Sequence, residues 1–310
     1  MKIATMATGG IGGFLAVRLT QAGHQVATIA RGAHLQAIRR NGLMLSAPDG
    51  DDGDTTVTPW IATDDPAEAG PVDAVIFGVK CNALESAARA CLPMIGPDTV
   101  VVPFLNGVEA ADRLLGILPE HCVAKGVAHI STTIAAPGVI GQVGSFNRFA
   151  FAERDSRPSA RIDALRAAFN AAGATAPDTT DIDRELWLKF VMFSAMSGVT
   201  AAARCRIRDV LEQPALSELF RTVVAETAAV ARARGVALPP TVEEDTWGSV
   251  QGLPRDMRAS TAIDLEAGRP LEIDWVSGAV RRLAREAGVP APVNSALYAV
   301  LLPHRDGKQG

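Results

Sequence analysis

A short run near the N-terminus constrains this chain more than any other feature. Ala7-Thr8-Gly9-Gly10-Ile11-Gly12 follows the apolar stretch Lys2 to Met6 and opens a helical pattern from Ile11 to Ala22. This is the G-x-G-x-x-G spacing with alanine in the first position, placed at a strand-to-helix turn where it has physical meaning. Gly9 lets the backbone approach a pyrophosphate, and Gly12 lets the helix pack closely on the strand. The helix N-terminus adds free N–H groups and the positive end of a dipole. Such a turn belongs to a βαβ unit, and so commits the first part of the chain to a parallel sheet.

The neighbouring pattern agrees. Gln25 to Ala30, Asp73 to Val79 and Thr99 to Phe104 read as buried strands, while Ala33 to Arg40 and Ala83 to Met94 read as helices. Cys122 to Phe151 reads as strand again, broken by Pro137-Gly138 and Gly141, and Ala160 to Ala171 as another helix. The aspartate-rich stretch Pro48 to Asp54 reads as a solvated hairpin tip. Beyond Asp178 the character changes, and Asp181 to Ala202, Pro214 to Arg234, Val242 to Gln251, Asp256 to Ala267, Glu272 to Ala287 and Val293 to Leu301 all read as helices. The expected fold class is α/β, an N-terminal Rossmann-type doubly wound sheet with an all-helical C-terminal domain. The division expected is 1–178 for the dinucleotide domain and 179–310 for the helical one.

Composition removes several function classes. With 30 Lys+Arg against 34 Asp+Glu, the formal net charge is -4, too acidic overall for a nucleic-acid or membrane-surface binder. No apolar run reaches the length of a membrane span, and Met1 leads directly into the first strand, so a soluble, unprocessed chain is expected. Cys81, Cys91, Cys122 and Cys205 stand far apart with no CxxC, which argues against a disulfide framework and against a metal site, and fits the cytoplasm.

The second strand ends in Ile29-Ala30-Arg31, where a carboxylate would bind a ribose 2′-hydroxyl. A guanidinium instead suits a 2′-phosphate and favours NADPH. Lys80 and Asn106 end two further strands and point to the same crevice, although each could also be a strand terminus or a turn. In the helical part, Lys189 lies at the edge of an apolar stripe containing Leu186, Phe190, Phe193 and Ser197. Desolvation there would move an ammonium toward the range useful for proton transfer, and the competing reading is a surface pair with Glu185. Glu272 and Asp274 read as carboxylates favouring a helix N-terminus.

Taken in order, Ala30-Arg31-Gly32-Ala33-His34-Leu35, Val79-Lys80, Leu105-Asn106-Gly107, Ala136-Pro137-Gly138-Val139-Ile140, Leu186-Trp187-Leu188-Lys189 and Gly268-Arg269-Pro270-Leu271-Glu272-Ile273-Asp274 resemble the ketopantoate reductase family, also called 2-dehydropantoate 2-reductases. The resemblance runs from about Lys2 to Leu302. It implies a Rossmann domain and a helical domain with the active site between them. By the same resemblance Lys189 is similar to the catalytic lysine and Glu272 to the catalytic-site glutamate. Arg31 matches the 2′-phosphate ligand, Lys80 and Asn106 match cleft residues, and Ser260 and Asp264 match substrate-side residues.

The chain also departs from the pattern. Phe193 and Ser197 stand where the family has asparagines, Leu271 replaces a threonine and Ser277 an asparagine. These changes remove polar groups from the substrate side and leave the hydride machinery. The expectation is therefore an NADPH-dependent reductase of a 2-oxo acid or related ketone, a small-molecule carbonyl, with Asn106, Phe193, Ser197, Ser260 and Asp264 on the substrate side. Ala7, Thr8, Gly9, Gly10, Ile11, Gly12, Arg31, Lys80 and Asn106 would serve the cofactor. Alternatives are authentic pantoate synthesis and, from another class, a non-catalytic NADP(H)-sensing protein. β-Hydroxyacid dehydrogenases are disfavoured because Phe193 stands where they carry asparagine. A homodimer is one assembly to expect.

Overall fold

The computed structural model describes residues 1–46 and 53–308, so the expected hairpin tip at Pro48 to Asp54 lies outside the described residues except for Gly53 and Asp54. The chain forms two compact units, Met1–Leu105 with Ala110–Ile182, and Asn106–Glu109 with Asp183–Gly310.

In the first unit the elements run β1 (Lys2–Met6), α1 (Gly10–Gln21), β2 (Gln25–Ile29), α2 (Gly32–Asn41), β3 (Leu43–Ser46), β4 (Thr55–Val57), β5 (Ile61–Thr63), β6 (Val72–Phe77), α3 (Leu84–Cys91), β7 (Ile95–Pro103), α4 (Ala110–Leu115), β8 (Ala124–Ala136), β9 (Val139–Glu153) and α5 (Ala160–Ala171). Strands β5-β2-β1-β6-β7 form one sheet, every pair parallel. β1 and β2 are buried from their second residue onward, the signature of strands covered on both faces. Successive strands step outward from β1 in opposite directions, which makes the β1/β6 boundary a topological switch point. There Gly78 N–H bonds the Met6 carbonyl at 2.8 Å and Thr8 N–H bonds the Ile29 carbonyl at 2.8 Å. The fingerprint turn, the end of β2 and the end of β6 are thereby fastened side by side.

A second sheet, β4-β3-β9-β8, was not expected as a separate layer. Its long β8–β9 hairpin turns at Gly138, whose φ of +79° suits glycine. Phe104, Phe149, Phe151 and Phe169 pack with ring centroids 5.1–6.1 Å apart and form the aromatic heart of this unit. The end of β9 is braced by Arg161, whose Nε and Nη2 donate to the two Glu153 carboxylate oxygens at 2.7 and 2.8 Å. The same guanidinium donates to the Thr99 and His121 carbonyls, at 3.2 and 2.6 Å.

The second unit holds α6 (Ile182–Ala202, beginning at the boundary), α7 (Ile207–Glu212), α8 (Pro214–Ala233), α9 (Val242–Gln251), α10 (Ser260–Glu266), α11 (Ser277–Ala287) and α12 (Pro292–Leu301). Trp187, Phe190, Val191, Ala195 and Val199 of α6 pack into a core with Phe220, Val223 and Val224 of α8. The buried Glu226 carboxylate caps α12, accepting from the Val293 and Asn294 backbone N–H groups at 2.8 and 2.9 Å. Two helix expectations need correction. Glu272 to Ala287 is not one helix: a single 3-10 turn, Ile273–Trp275, is followed by a break at Val276 (φ -113°, ψ -100°) before α11 begins. Asp256 to Ala267 is helical only from Ser260. In both segments apolar spacing continues through a bend that periodicity cannot register. No helix among the described residues is long and apolar enough to cross a membrane.

Candidate active site

The segment Asn106–Glu109 leaves the end of β7 yet belongs to the helical unit. Gly107 makes this possible, since its φ is +92° and a side chain there would lie 2.8 Å from the Trp275 carbonyl oxygen. Glu109 holds the other end of the segment through an ion pair with Arg282, whose Nε donates at 3.1 Å. Val108 packs against the helical core between them. The result is a fixed position for Asn106.

That position links the two strongest candidates from sequence. Lys189 Nζ donates to Asn106 Oδ1 at 3.3 Å, and Asn106 Nδ2 donates to Glu272 Oε2 at 3.2 Å. One amide thus presents its acceptor to the cation and its donor to the carboxylate, the only orientation satisfying both. All three side chains are half-buried, which strengthens the contacts while leaving room for a ligand. Glu272 reaches this place from the irregular backbone just before the 3-10 turn, not from a helix N-terminus. Asp274, its sequence neighbour, accepts from Tyr298 Oη at 2.8 Å, and this bond raises the Tyr298 hydroxyl above its ordinary range.

The remaining substrate-side candidates divide. The Phe193 ring centroid lies 5.5 Å from Lys189 Nζ while the ring is half-buried against the helical core, so it adjoins both. Ser197 is buried, its hydroxyl 2.5 Å from that of Thr261. Ser260 opens α10 and is exposed. Asp264 is buried and accepts from Arg269 Nε at 2.7 Å, so its carboxylate is engaged in holding the following loop.

In the first unit the fingerprint turn has the form an anionic dinucleotide requires. Gly9 caps α1 without a side-chain hydrogen bond, and no acidic residue stands in the first turn. A side chain at Gly12 would come within 2.3 Å of the Ala7 carbonyl, and one at Gly10 within 2.5 Å of the Thr132 carbonyl. The Thr132 hydroxyl is buried beside Gly10 with no hydrogen-bond partner. Glycine is thus required on both sides of Ile11, and the turn offers a polar cradle. Arg31 occupies the extended N-cap of α2, exposed at the end of β2, while Lys80 is exposed beyond β6. These residues fit a pyrophosphate and a ribose phosphate.

Sequence reasoning missed His34, which stands three residues beyond Arg31 and bonds the fingerprint turn itself, 2.9 Å from the Thr8 carbonyl oxygen. Only its place in the family-like run from Ala30 to Leu35 could have marked it.

Comparison with known proteins follows the same division. Residues 3–156 match the family model described as Ketopantoate reductase PanE/ApbA, and residues 181–304 match Ketopantoate reductase PanE/ApbA C terminal. The chain is 31% identical to a 2-dehydropantoate 2-reductase of Mesorhizobium japonicum, with 97% of each chain covered. The crystal structure of a PanE/ApbA family ketopantoate reductase from Ralstonia eutropha is similar with a TM-score of 0.89 and 32% identity, covering 98% of both chains. D-mandelate dehydrogenase, solved with NADH and anilino(oxo)acetate, shares the fold at a TM-score of 0.88 and 22% identity, again over 98% of both chains.

Proposed function

Since this chain belongs to the ketopantoate reductase family, we propose that it is an NADPH-dependent reductase of a 2-oxo acid or related ketone, with Lys189 as the proton donor. The observation that carries the reading is the Lys189–Asn106–Glu272 chain of hydrogen bonds. Asn106 engages the ammonium through Nζ, and a lysine ammonium held in this way is a three-donor group able to direct an N–H at a carbonyl oxygen. NADPH, when bound, supplies the hydride that the carbonyl carbon receives. As the carbon–oxygen π pair moves onto oxygen, Lys189 transfers a proton from Nζ to that oxygen and is left as a neutral amine. Glu272, acting through Asn106, orients the lysine and favours its return to the ammonium form by proton uptake from solvent.

Arg31 supports the choice of NADPH. Its guanidinium has no partner among the described residues and stands just past the end of β2, the position from which a dinucleotide-binding fold of this type contacts the ribose. The NADH-bound relative means that the fold alone does not decide the cofactor, so the decision rests with this side chain.

Phe193 and Ser197 support a substrate other than ketopantoate. An aromatic face adjoins the lysine, and the Ser197 hydroxyl further along the same helix is committed to Thr261. A substrate hydroxyl left unpaired costs about 1–3 kcal/mol, so a polyoxygenated molecule is penalised relative to a more apolar one. The test is NADPH oxidation across ketopantoate, other 2-oxo acids and bulkier ketones. A more apolar oxo compound is expected to be reduced best. A kcat/KM for ketopantoate of about 10⁴ M⁻¹s⁻¹ or above would restore pantoate synthesis as the function. Cofactor binding with no turnover on any carbonyl would leave a cofactor-sensing protein.

A further inference from the structure

We infer that His34 is a positioning residue for the cofactor turn: as a neutral imidazole it clasps the Thr8 carbonyl to the β8–β9 hairpin and so aims the Gly9 amide. This rests on the dinucleotide reading of residues 7–12. The geometry fixes the tautomer. Gly138 N–H can only donate, and it donates to His34 Nδ1 at 3.0 Å, so Nδ1 carries the lone pair. The proton is therefore on Nε2, which donates to the Thr8 carbonyl at 2.9 Å. One ring thus joins the β1–α1 turn, the first turn of α2 and the hairpin tip.

The anchor is itself held. The Gly138 carbonyl accepts from Met44 N–H of β3 at 2.9 Å, and a side chain on Gly138 would meet the Ala37 Cβ of α2 at 3.0 Å. On the other side Thr8 is buried, with its N–H bonded to Ile29 and its hydroxyl 3.0 Å from that of Thr5. The peptide unit between Thr8 and Gly9 is planar, and in the trans form its C=O and N–H point in opposite directions. Drawing the Thr8 carbonyl toward α2 therefore directs the Gly9 N–H away from it. Gly9 is the fingerprint residue whose backbone approaches a pyrophosphate, so the clasp presets a donor that the cofactor needs.

The clasp is also protonation-dependent. A second proton on the ring would place an Nδ1–H against the Gly138 N–H, donor against donor, and release the hairpin anchor. Burial holds His34 below the ordinary imidazole range, opposed by the bond to Thr8. The charged groups on the surrounding elements are Arg31, Arg39 and Arg40 at α2, Arg18 on α1, and Asp64 and Asp65 after β5. The fingerprint turn, β3 and the hairpin tip carry none. Because the folded value is depressed, the clasp is complete above the ordinary imidazole range and fails as pH falls through the folded value.

The experiment compares wild type with His34→Phe, which keeps a ring and removes both bonds, and His34→Gln, whose amide restores a donor and an acceptor. NADPH dissociation constants are read from nucleotide fluorescence between about pH 8 and pH 5, with melting temperature as the fold control. Losing two hydrogen bonds of ordinary strength should raise the constant about 5- to 100-fold in the Phe variant near pH 8, and Gln should recover much of it. The Phe-to-wild-type ratio should fall toward one as pH decreases, because wild type loses its own clasp. The 2′-phosphate titrates near pH 6 as well, but that cancels in the ratio. Turnover at saturating NADPH should stay within about threefold of wild type, as expected for lost cofactor binding without lost chemistry. A ratio of one at every pH, or a raised ratio that Gln leaves as high as Phe does, overturns the clasp while leaving the cofactor reading intact. If wild type binds NADH instead, the same ratio is read with NADH. If it binds neither nucleotide, both readings fall.

Discussion

Replacing Asn106 by aspartate tests the candidate site with a change of almost no volume. The oxygen facing Lys189 survives, but the nitrogen that donates to Glu272 Oε2 at 3.2 Å becomes a second carboxylate oxygen. Two like charges at that distance repel by about 1 kcal/mol in water-like surroundings and about 5 kcal/mol at an effective dielectric of about 20. Both residues are half-buried, so the working value lies between these limits. At about 1.4 kcal/mol per factor of ten, Asn106→Asp should lower turnover roughly 10- to 10³-fold above neutral pH. Acidification should reverse part of the loss. Two crowded carboxylates retain a shared proton to higher pH than one alone, and that proton rebuilds a strong O–H···O⁻ contact where the N–H···O⁻ contact had been. The assay is kcat against pH for both proteins, at saturating NADPH, on the best substrate of the carbonyl panel. A variant depressed by the same factor at every pH, or not depressed at all, would refute the idea that Asn106 relays between lysine and glutamate.

Three further outcomes are expected. Arg31→Ala should lose about 1.5–3 kcal/mol of preference for NADPH over NADH, about a 10- to 150-fold change in relative kcat/KM, and a wild-type enzyme indifferent to the two cofactors would remove the basis for it. Lys189→Ala should lower turnover by about 10²–10⁴ with NADPH affinity retained, whereas unchanged turnover would return the lysine to a structural role. Glu153→Ala should cost about 3–5 kcal/mol in chemical denaturation, because it strands the Arg161 guanidinium beside a nearly buried site. Burial pushes the Glu153 carboxyl up, but the Arg161 and Ser159 hydrogen bonds outweigh it and hold the group below its ordinary range. Stability from this pair is therefore present above the ordinary carboxylate range and lost as pH falls through the folded value, a slope the Ala variant should lack.

Much of this was legible because it is local. The fingerprint turn, β1, α1 and the position of Arg31 all follow from residues within about one βαβ unit of each other. Lys189 was readable as a cation on the edge of an apolar stripe. Asn106 read as a turn residue until the family-like motifs were laid in order, because its partners are 83 and 166 residues away and no period in the sequence connects them. The second sheet was hidden for the same reason, with β3 pairing β9 almost a hundred positions later through Leu45 and Ile140. Glu272 was assigned to a helix because the apolar rhythm runs straight through Val276, where the backbone breaks. His34 illustrates a different limit. A lone histidine on an amphipathic helix carries no mark of its two backbone partners, one of them 104 residues distant.

The excursion at Asn106–Glu109 bears on how members of this family could be recombined. The helical unit is not a continuous stretch of gene, since the chain enters it at 106, leaves after 109 and returns only at 183. A chimera joined at 182/183 would import a foreign lysine and glutamate while keeping the resident Asn106, and it would oppose the resident Glu109 to a foreign counterpart of Arg282. Exchange of substrate preference by fragment grafting therefore needs a second, four-residue insert to travel with the first. Parents that differ at this short loop should yield hybrids whose halves fold but whose Lys189–Asn106–Glu272 hydrogen-bond chain is mismatched.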